Sequence, residues 1–226
     1  MSKDRTVARR LAAEAIAVGA PLDWFERLYA GAQAGRWEVP WADLTPNRRL
    51  LSWAGESDLD GRGDRALVVG CGLGDDAEAL AALGFTVTAF DVAPSAVRRC
   101  RQRFPDSPVD YVAADLLHLP AEWAARFSLV FEANTLQVLP AGPWRDGGRA
   151  ALAPLVSPGG RLVVIARARD EDDDIGTMPW PLTRREVLAC AGDDPHPVLV
   201  NDTLVEFVDE EDPPVRRFLA VFRRPD

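Results

Sequence analysis

The chain has 226 residues, with 26 Lys and Arg against 35 Asp and Glu, for a formal net charge of −9. That length suits one domain with a full sheet and covering helices, and the acidity argues against phosphate backbones or anionic lipid as main partners. Cys71, Cys100 and Cys190 are widely scattered, form no CxxC pair and have only two histidines for company, which argues against a disulfide framework or a metal site.

From the start, "VARRLAAEAIAV" reads as an Ala-rich amphipathic helix; its run "LAAEAIAVGA" carries Glu14, which no secretory leader would hold there. No later stretch is long enough to span a bilayer, so the expected compartment is the reducing cytoplasm. A second helix follows Pro21, and "PNRRLLSWA" places Pro46 in the first turn of a third. Trp24, Trp37, Trp41 and Trp53, four of the seven tryptophans, fall in this region, a density suited to an added helical layer.

Beyond Ala66 short apolar strands alternate with helices. "ALVV" and "TVTAF" flank a helix from Asp75 to Leu83, "VDYVAAD" follows the helix begun by "PSAVRRCRQRF", and "FSLVFEA" and "RLVVIAR" come later, the second after the turn "SPGG". Such alternation predicts a parallel sheet with crossover helices. "HPVLVNDTLVEFV" and "VRRFLAVFRR" are joined by "DEEDPP", too short for a crossover, and so predict an antiparallel hairpin. The expected architecture is a single α/β domain over 1–226, doubly wound and mostly parallel, with an N-terminal helical cover over 1–62 and a core over 63–226.

The stretch "VVGCGLGDD" ends the first strand with Gly70, Gly72 and Gly74, which let a ligand approach the backbone without a Cβ in the way. Asp91 ends the next strand, 17 residues after Gly74, where a carboxylate accepts the two hydroxyls of an adenosine ribose. A dinucleotide site wants GxGxxG and a helix N-terminus open to pyrophosphate. Asp75 and Asp76 stand there instead, one of them expected as a helix cap, and two anions favour a cationic cofactor.

Residues 66 to about 167 resemble the core of a class I S-adenosylmethionine-dependent methyltransferase. "VVGCGLG" is similar to its first motif, "AFDV" to the end of its second strand, "AADLL" to the turn after its third, and "SPGGRLVVIAR" to its turn into the fifth. The flanks "LYAGAQAGRWEVPWADLTPNRRLL" and "MPWPLTRREV" are similar to the thiopurine, halide and thiol methyltransferase-like group. The resemblance implies a seven-stranded Rossmann-like sheet, S-adenosylmethionine as cofactor with S-adenosylhomocysteine as product, and a small-molecule acceptor. Carried over by position, it implies cofactor contacts from Trp37, Trp41, Gly70, Cys71, Gly72, Gly74, Asp91, Val92, Asp115 and Leu116. Val68 stands where many such enzymes have an acidic residue, and Asp75 is expected to compensate.

Methyl transfer from a sulfonium is an in-line displacement, so alignment of the acceptor and exclusion of water dominate. Glu132, in "FEANTLQVLP", is the expected polar group, either binding the cofactor or acting as base. Asn134 and Gln137 just beyond it, and Trp180 between two prolines, are candidate acceptor contacts; Thr183 and Glu186 form a capping box after Trp180. His118 and His196 read as loop or core residues, and the small side chain of Cys71 suits the turn. The acceptor atom stays open among sulfur, oxygen, nitrogen and halide. The alternatives are an NAD-dependent oxidoreductase and a non-catalytic module that keeps the fold.

Overall fold

The computed structural model describes residues 4–192, 198–210 and 213–226. Contacts divide the chain into two compact units, Lys3–Asp115 and Leu116–Asp226.

The first unit begins with α1 (Thr6–Ala17), whose Ala8, Leu11, Ala12 and Ala15 form one buried stripe at helical spacing. In α2 (Asp23–Gln33), Asp23 and Glu26 lie in the first turn, where the helix dipole favours acids, and Trp24, Phe25, Leu28 and Tyr29 are buried. Trp24 stacks on Phe25 with centroids 3.9 Å apart. The third helix, α3 (Arg48–Glu56), is capped by Asn47, whose side chain accepts from the Arg49 and Leu50 N–H groups. Pro46 therefore precedes the cap rather than opening the first turn, because asparagine satisfies free N–H groups that proline cannot.

Then come β1 (Arg65–Val69), α4 (Asp75–Ala82), β2 (Thr86–Asp91), α5 (Pro94–Arg103) and β3 (Asp110–Ala113). β2 pairs in parallel with both β1 and β3. Ala66, Leu67, Val68 and Val69 are all buried, as expected for a strand covered on both faces.

The second unit contains β4 (Phe127–Ala133), α6 (Pro143–Ala150), β5 (Val156–Arg167), the short α7 (Arg184–Leu188), β6 (Val200–Asp209) and β7 (Val215–Arg223). β4 and β5 are parallel; β7 is antiparallel to both β5 and β6, which gives the expected hairpin. The "SPGG" turn lies inside β5 rather than ahead of it. Phe127 pairs with Val156 but Leu129 with Arg161, so Ser157–Gly160 is held as a bulge, with Gly159 at φ 72°. The capping box forms as expected, Thr183 Oγ1 accepting from Glu186 N and the Glu186 carboxylate from Thr183 N. The strand order across the seven-stranded sheet is β3-β2-β1-β4-β5-β7-β6. Among the described residues, no helix is long and apolar enough to cross a membrane.

Candidate functional site

The glycine loop joins β1 to α4, with Gly70, Gly72 and Gly74 at φ 61°, 56° and 92°, values that a side chain would strain. Its path is set by β2. Cys71 N donates to Phe90 O (2.8 Å) and Gly72 N to Asp91 Oδ2 (3.0 Å), while Ala93 N donates to Asp91 Oδ1 (2.9 Å). Asp91 is 5% exposed, and burial raises its pKa to about 6 against the pull of those two N–H groups. Each carboxylate oxygen keeps a second lone pair for a hydroxyl donor. Ala114 N donates to Asp91 O, so the turn carrying the half-buried Asp115 leaves from the same point; Val92 is also half-buried. Leu116, by contrast, is buried as the first residue of the second unit. Cys71 is a half-buried thiol whose pKa is pushed up by its neighbour Cys100 and by burial.

Neither carboxylate at the start of α4 caps it. Gly74 is the N-cap residue and offers no side chain. Asp75 is held by Arg103 in a two-pronged ion pair (2.7 and 2.8 Å). Asp76 reaches back to the N-terminal layer, its Oδ1 accepting from Asn47 N at 2.6 Å, and burial raises its pKa to about 6.

The N-terminal helices touch the loop through a residue the sequence did not single out. Tyr29 is buried, accepts a hydrogen bond from Trp41 Nε1 (2.9 Å), and has its hydroxyl 3.2 Å from where a Cβ on Gly72 would lie. Its phenol is raised well above the ordinary value by burial and by the Asp91 charge. The signal available was its place on the buried face of α2, five residues after Trp24 and one after Leu28. Trp41 thus comes to the loop through Tyr29, whereas Trp37 is turned elsewhere. Its Nε1 donates to Leu28 O (2.8 Å) and its ring fills the space over Gly31 that a Cβ would need. Glu26 ties α2 to α5, accepting from Ser95 N (2.8 Å) and Ser95 Oγ (2.5 Å).

In the second unit Glu132 is fully buried and acts as a turn cap. Its Oε1 accepts from Thr135 N (2.6 Å) and Leu136 N (3.0 Å), whereas Oε2 is buried with no hydrogen-bond partner among the described residues. Burial raises its pKa to about 7. One oxygen is committed to the turn. Gln137 is also enclosed: its Oε1 accepts from Arg167 N (2.7 Å) and its Nε2 donates to Asn134 Oδ1 (3.2 Å), so it buttresses the turn that carries Asn134. Asn134 is half-buried in the left-handed conformation (φ 66°) and accepts from Arg217 Nη1 (2.7 Å), an arginine whose strand position gave no sign of this. Trp180 is half-buried, bonded through its N–H to Gln137 O (2.7 Å), with the buried Arg145 guanidinium 6.0 Å from its ring centroid. Arg145 in turn holds Leu139 O and Glu186. His118 lies exposed in a loop, and His196 lies outside the described residues.

Residues 66–160 match a family described as a methyltransferase domain. The chain is 33% identical over 147 residues to the ubiquinone biosynthesis O-methyltransferase of Bordetella avium, covering 62% of this chain and 58% of that protein. It is 28% identical to the "Probable thiol methyltransferase 2" of Arabidopsis thaliana, covering 71% of this chain and 74% of that protein. The chain spans 43 to 63% of the length of the first ubiquinone O-methyltransferases it matches. In fold it is similar to the N-methyltransferase NodS of Bradyrhizobium japonicum, solved with S-adenosyl-L-homocysteine, at TM-score 0.66 and 22% identity, covering 89% of this chain and all of that one.

Proposed function

We propose that this chain, whose residues 66–160 match a methyltransferase domain, moves a methyl group from S-adenosylmethionine to a small-molecule acceptor by in-line displacement. The observation that carries this reading is the contact between Asp91 Oδ2 and Gly72 N at the carboxyl end of β2. It sets a carboxylate with spare acceptor capacity beside a loop of three left-handed glycines, a donor and acceptor set suited to a ribose. When bound, the cofactor supplies an electrophilic methyl group on a sulfonium.

Asp91 would accept the ribose hydroxyls, Gly70 to Gly74 would line the cofactor with backbone, and Val92 and Asp115 would flank its base. Tyr29 and Trp41 would exclude water from the loop, the task proposed for the N-terminal cover. For the acceptor we propose Asn134 and Trp180 as contacts. Glu132 would act at one remove by holding the turn after β4, which favours an acceptor that arrives already nucleophilic, such as a thiolate. The similarity to a thiol methyltransferase supports that leaning, while the O-methyltransferase relatives keep a hydroxyl acceptor as the second reading. A cytoplasmic setting is proposed from the three free thiols and the net charge of −9, which also disfavours nucleic acid.

Calorimetry with S-adenosylhomocysteine and with NAD tests the cofactor. Micromolar binding of the first and none of the second is expected, and the reverse would make the chain an oxidoreductase. Turnover of labelled S-adenosylmethionine against thiols and phenols then separates an enzyme from a binding module.

A further inference from the structure

The chain has two tyrosines, and both hydroxyls lie against the glycine loop, Tyr29 at Gly72 and Tyr111 at Gly74. The second lies beside two α5 side chains that grip the loop's carbonyls. Cys100 Sγ donates to Gly72 O (3.3 Å), and Arg103 Nη1 donates to Leu73 O while its fork holds Asp75. The Tyr111 hydroxyl donates to Glu78 Oε1 (2.5 Å) and lies 3.4 Å from Gly74 O, where it would meet any Cβ on Gly74 at 2.6 Å. Gly72 O and Leu73 O are thus held from α5, while Gly74 O accepts from Glu78 N (3.0 Å) as the first bond of α4.

In a trans peptide the carbonyl and the next N–H point in opposite directions. Holding Gly72 O therefore turns the Leu73 N–H the other way, and holding Leu73 O turns the Gly74 N–H away from Arg103, where it donates to Cys71 O at 3.0 Å. The Cys71 and Gly72 N–H groups are already engaged by Phe90 O and Asp91. We propose that Arg103 is a positioning residue for the cofactor, with Cys100 as its partner. By holding the Leu73 carbonyl, and with it the Gly74 N–H on Cys71 O, it keeps the loop on one path before the cofactor arrives and lowers the ordering cost of binding. The Arg103 side chain is 17% exposed and its guanidinium lies 4.7 Å from the Phe104 ring centroid, so it is packed in place rather than free to swing.

This rests on the cofactor reading above, so the test begins with the intact chain. If the unaltered protein does not bind S-adenosylhomocysteine in calorimetry, both readings fall. If it binds, Arg103→Met, which keeps the stem without donors, is expected to weaken binding about tenfold or more. Asp75→Asn leaves the grip on Leu73 and is expected to weaken binding less than about threefold. Equal losses in the two variants would reduce Arg103 to an ion-pair partner, and unchanged binding in Arg103→Met would remove the proposal altogether. In the cofactor-free protein, amide exchange over residues 71–75 should quicken in Arg103→Met and stay near normal in Asp75→Asn. Exchange that rises throughout the protein would show only lost stability and overturn the positioning role. Should Arg103→Met fail to fold, Cys100→Ala and Cys100→Ser serve instead. Serine keeps a donor for Gly72 O and should hold affinity that alanine loses, and no difference between them would overturn the clamp.

Discussion

At the scale of single residues, the structure separates two buried carboxylates that look alike in sequence, each at the end of a strand. Asp91 keeps acceptor capacity, and its pKa of about 6 makes binding depend on pH. Ribose hydroxyls donate to the ionised form, so affinity for S-adenosylhomocysteine should be level above pH 7 and fall as pH drops through about 6. Binding at pH 6 should release a proton, read as a dependence of the calorimetric heat on buffer ionisation. Asp91→Asn should bind about tenfold more weakly at pH 7.5 and lose the pH dependence; a dependence that survives would place the titrating group elsewhere. Glu132 instead holds the Thr135 and Leu136 N–H groups. Glu132→Gln keeps one carbonyl oxygen for both bonds, so the rate at saturation should stay within a few-fold, whereas loss of a true base would cost about 10²–10⁴-fold. A collapse of the saturated rate with binding intact would restore Glu132 as the base.

At the scale of elements, α2 and α5 decide how the N-terminal layer meets the loop. Glu26 fixes α2 to Ser95 near the start of α5, and Cys100 and Arg103 near the end of α5 hold the loop. α3 is tied to α4 through Asn47 and Asp76. The stretch from Gly31 to Trp37, the end of α2 and the turn after it, is held by short-range bonds such as Gly35 N on Ala32 O, Arg36 N on Gly31 O and the Trp37 indole on Leu28 O, so it is the expected first site of limited proteolysis in the free protein. S-adenosylhomocysteine should slow that cut, because Tyr29 on the same helix lies against Gly72. Cleavage at the same rate with and without ligand would make the layer scaffold only. Most helices and strands were legible from period, and the Thr183–Glu186 box formed as read, but α6 was not foreseen and the starts of α3 and α4 were capped otherwise than expected. The bulge at Ser157–Gly160 was not, because a turn sequence and a bulge need the same glycine at positive φ, and only the pairing with β4 distinguishes them.

At the scale of the whole molecule, burial raises the pKa of Asp76 and Asp91 to about 6 and of Glu132 to about 7. Each of these folded-state values lies above its unfolded one, so the folded chain holds these protons while the unfolded chain has released them. Stability from this source is complete below about pH 4 and is lost as pH rises through 6 to 7. Repulsion within a chain of net charge −9 acts in the same direction. The thermal midpoint should therefore rise as pH is lowered from 8 to about 6, and Glu132→Gln should flatten the upper part of that curve. A midpoint that increases steadily toward pH 8 would contradict the buried charges.

What the sequence determined by itself is whatever depends on neighbours along the chain: the strand and helix alternation, the three glycines, and the interval from Gly74 to Asp91 that places a carboxylate beside the loop. Tertiary structure alone decided the partners of the polar side chains. Asp75 and Asp76 are adjacent in sequence, yet one turns to Arg103 and the other to Asn47, each about thirty residues away. Trp37 and Trp41 lie one helical turn apart in number, yet one caps Leu28 and the other reaches Tyr29. The physical reason is the same in each case. A buried donor or acceptor must find a partner, and which one it finds depends on what the packing of distant segments brings within about 3 Å.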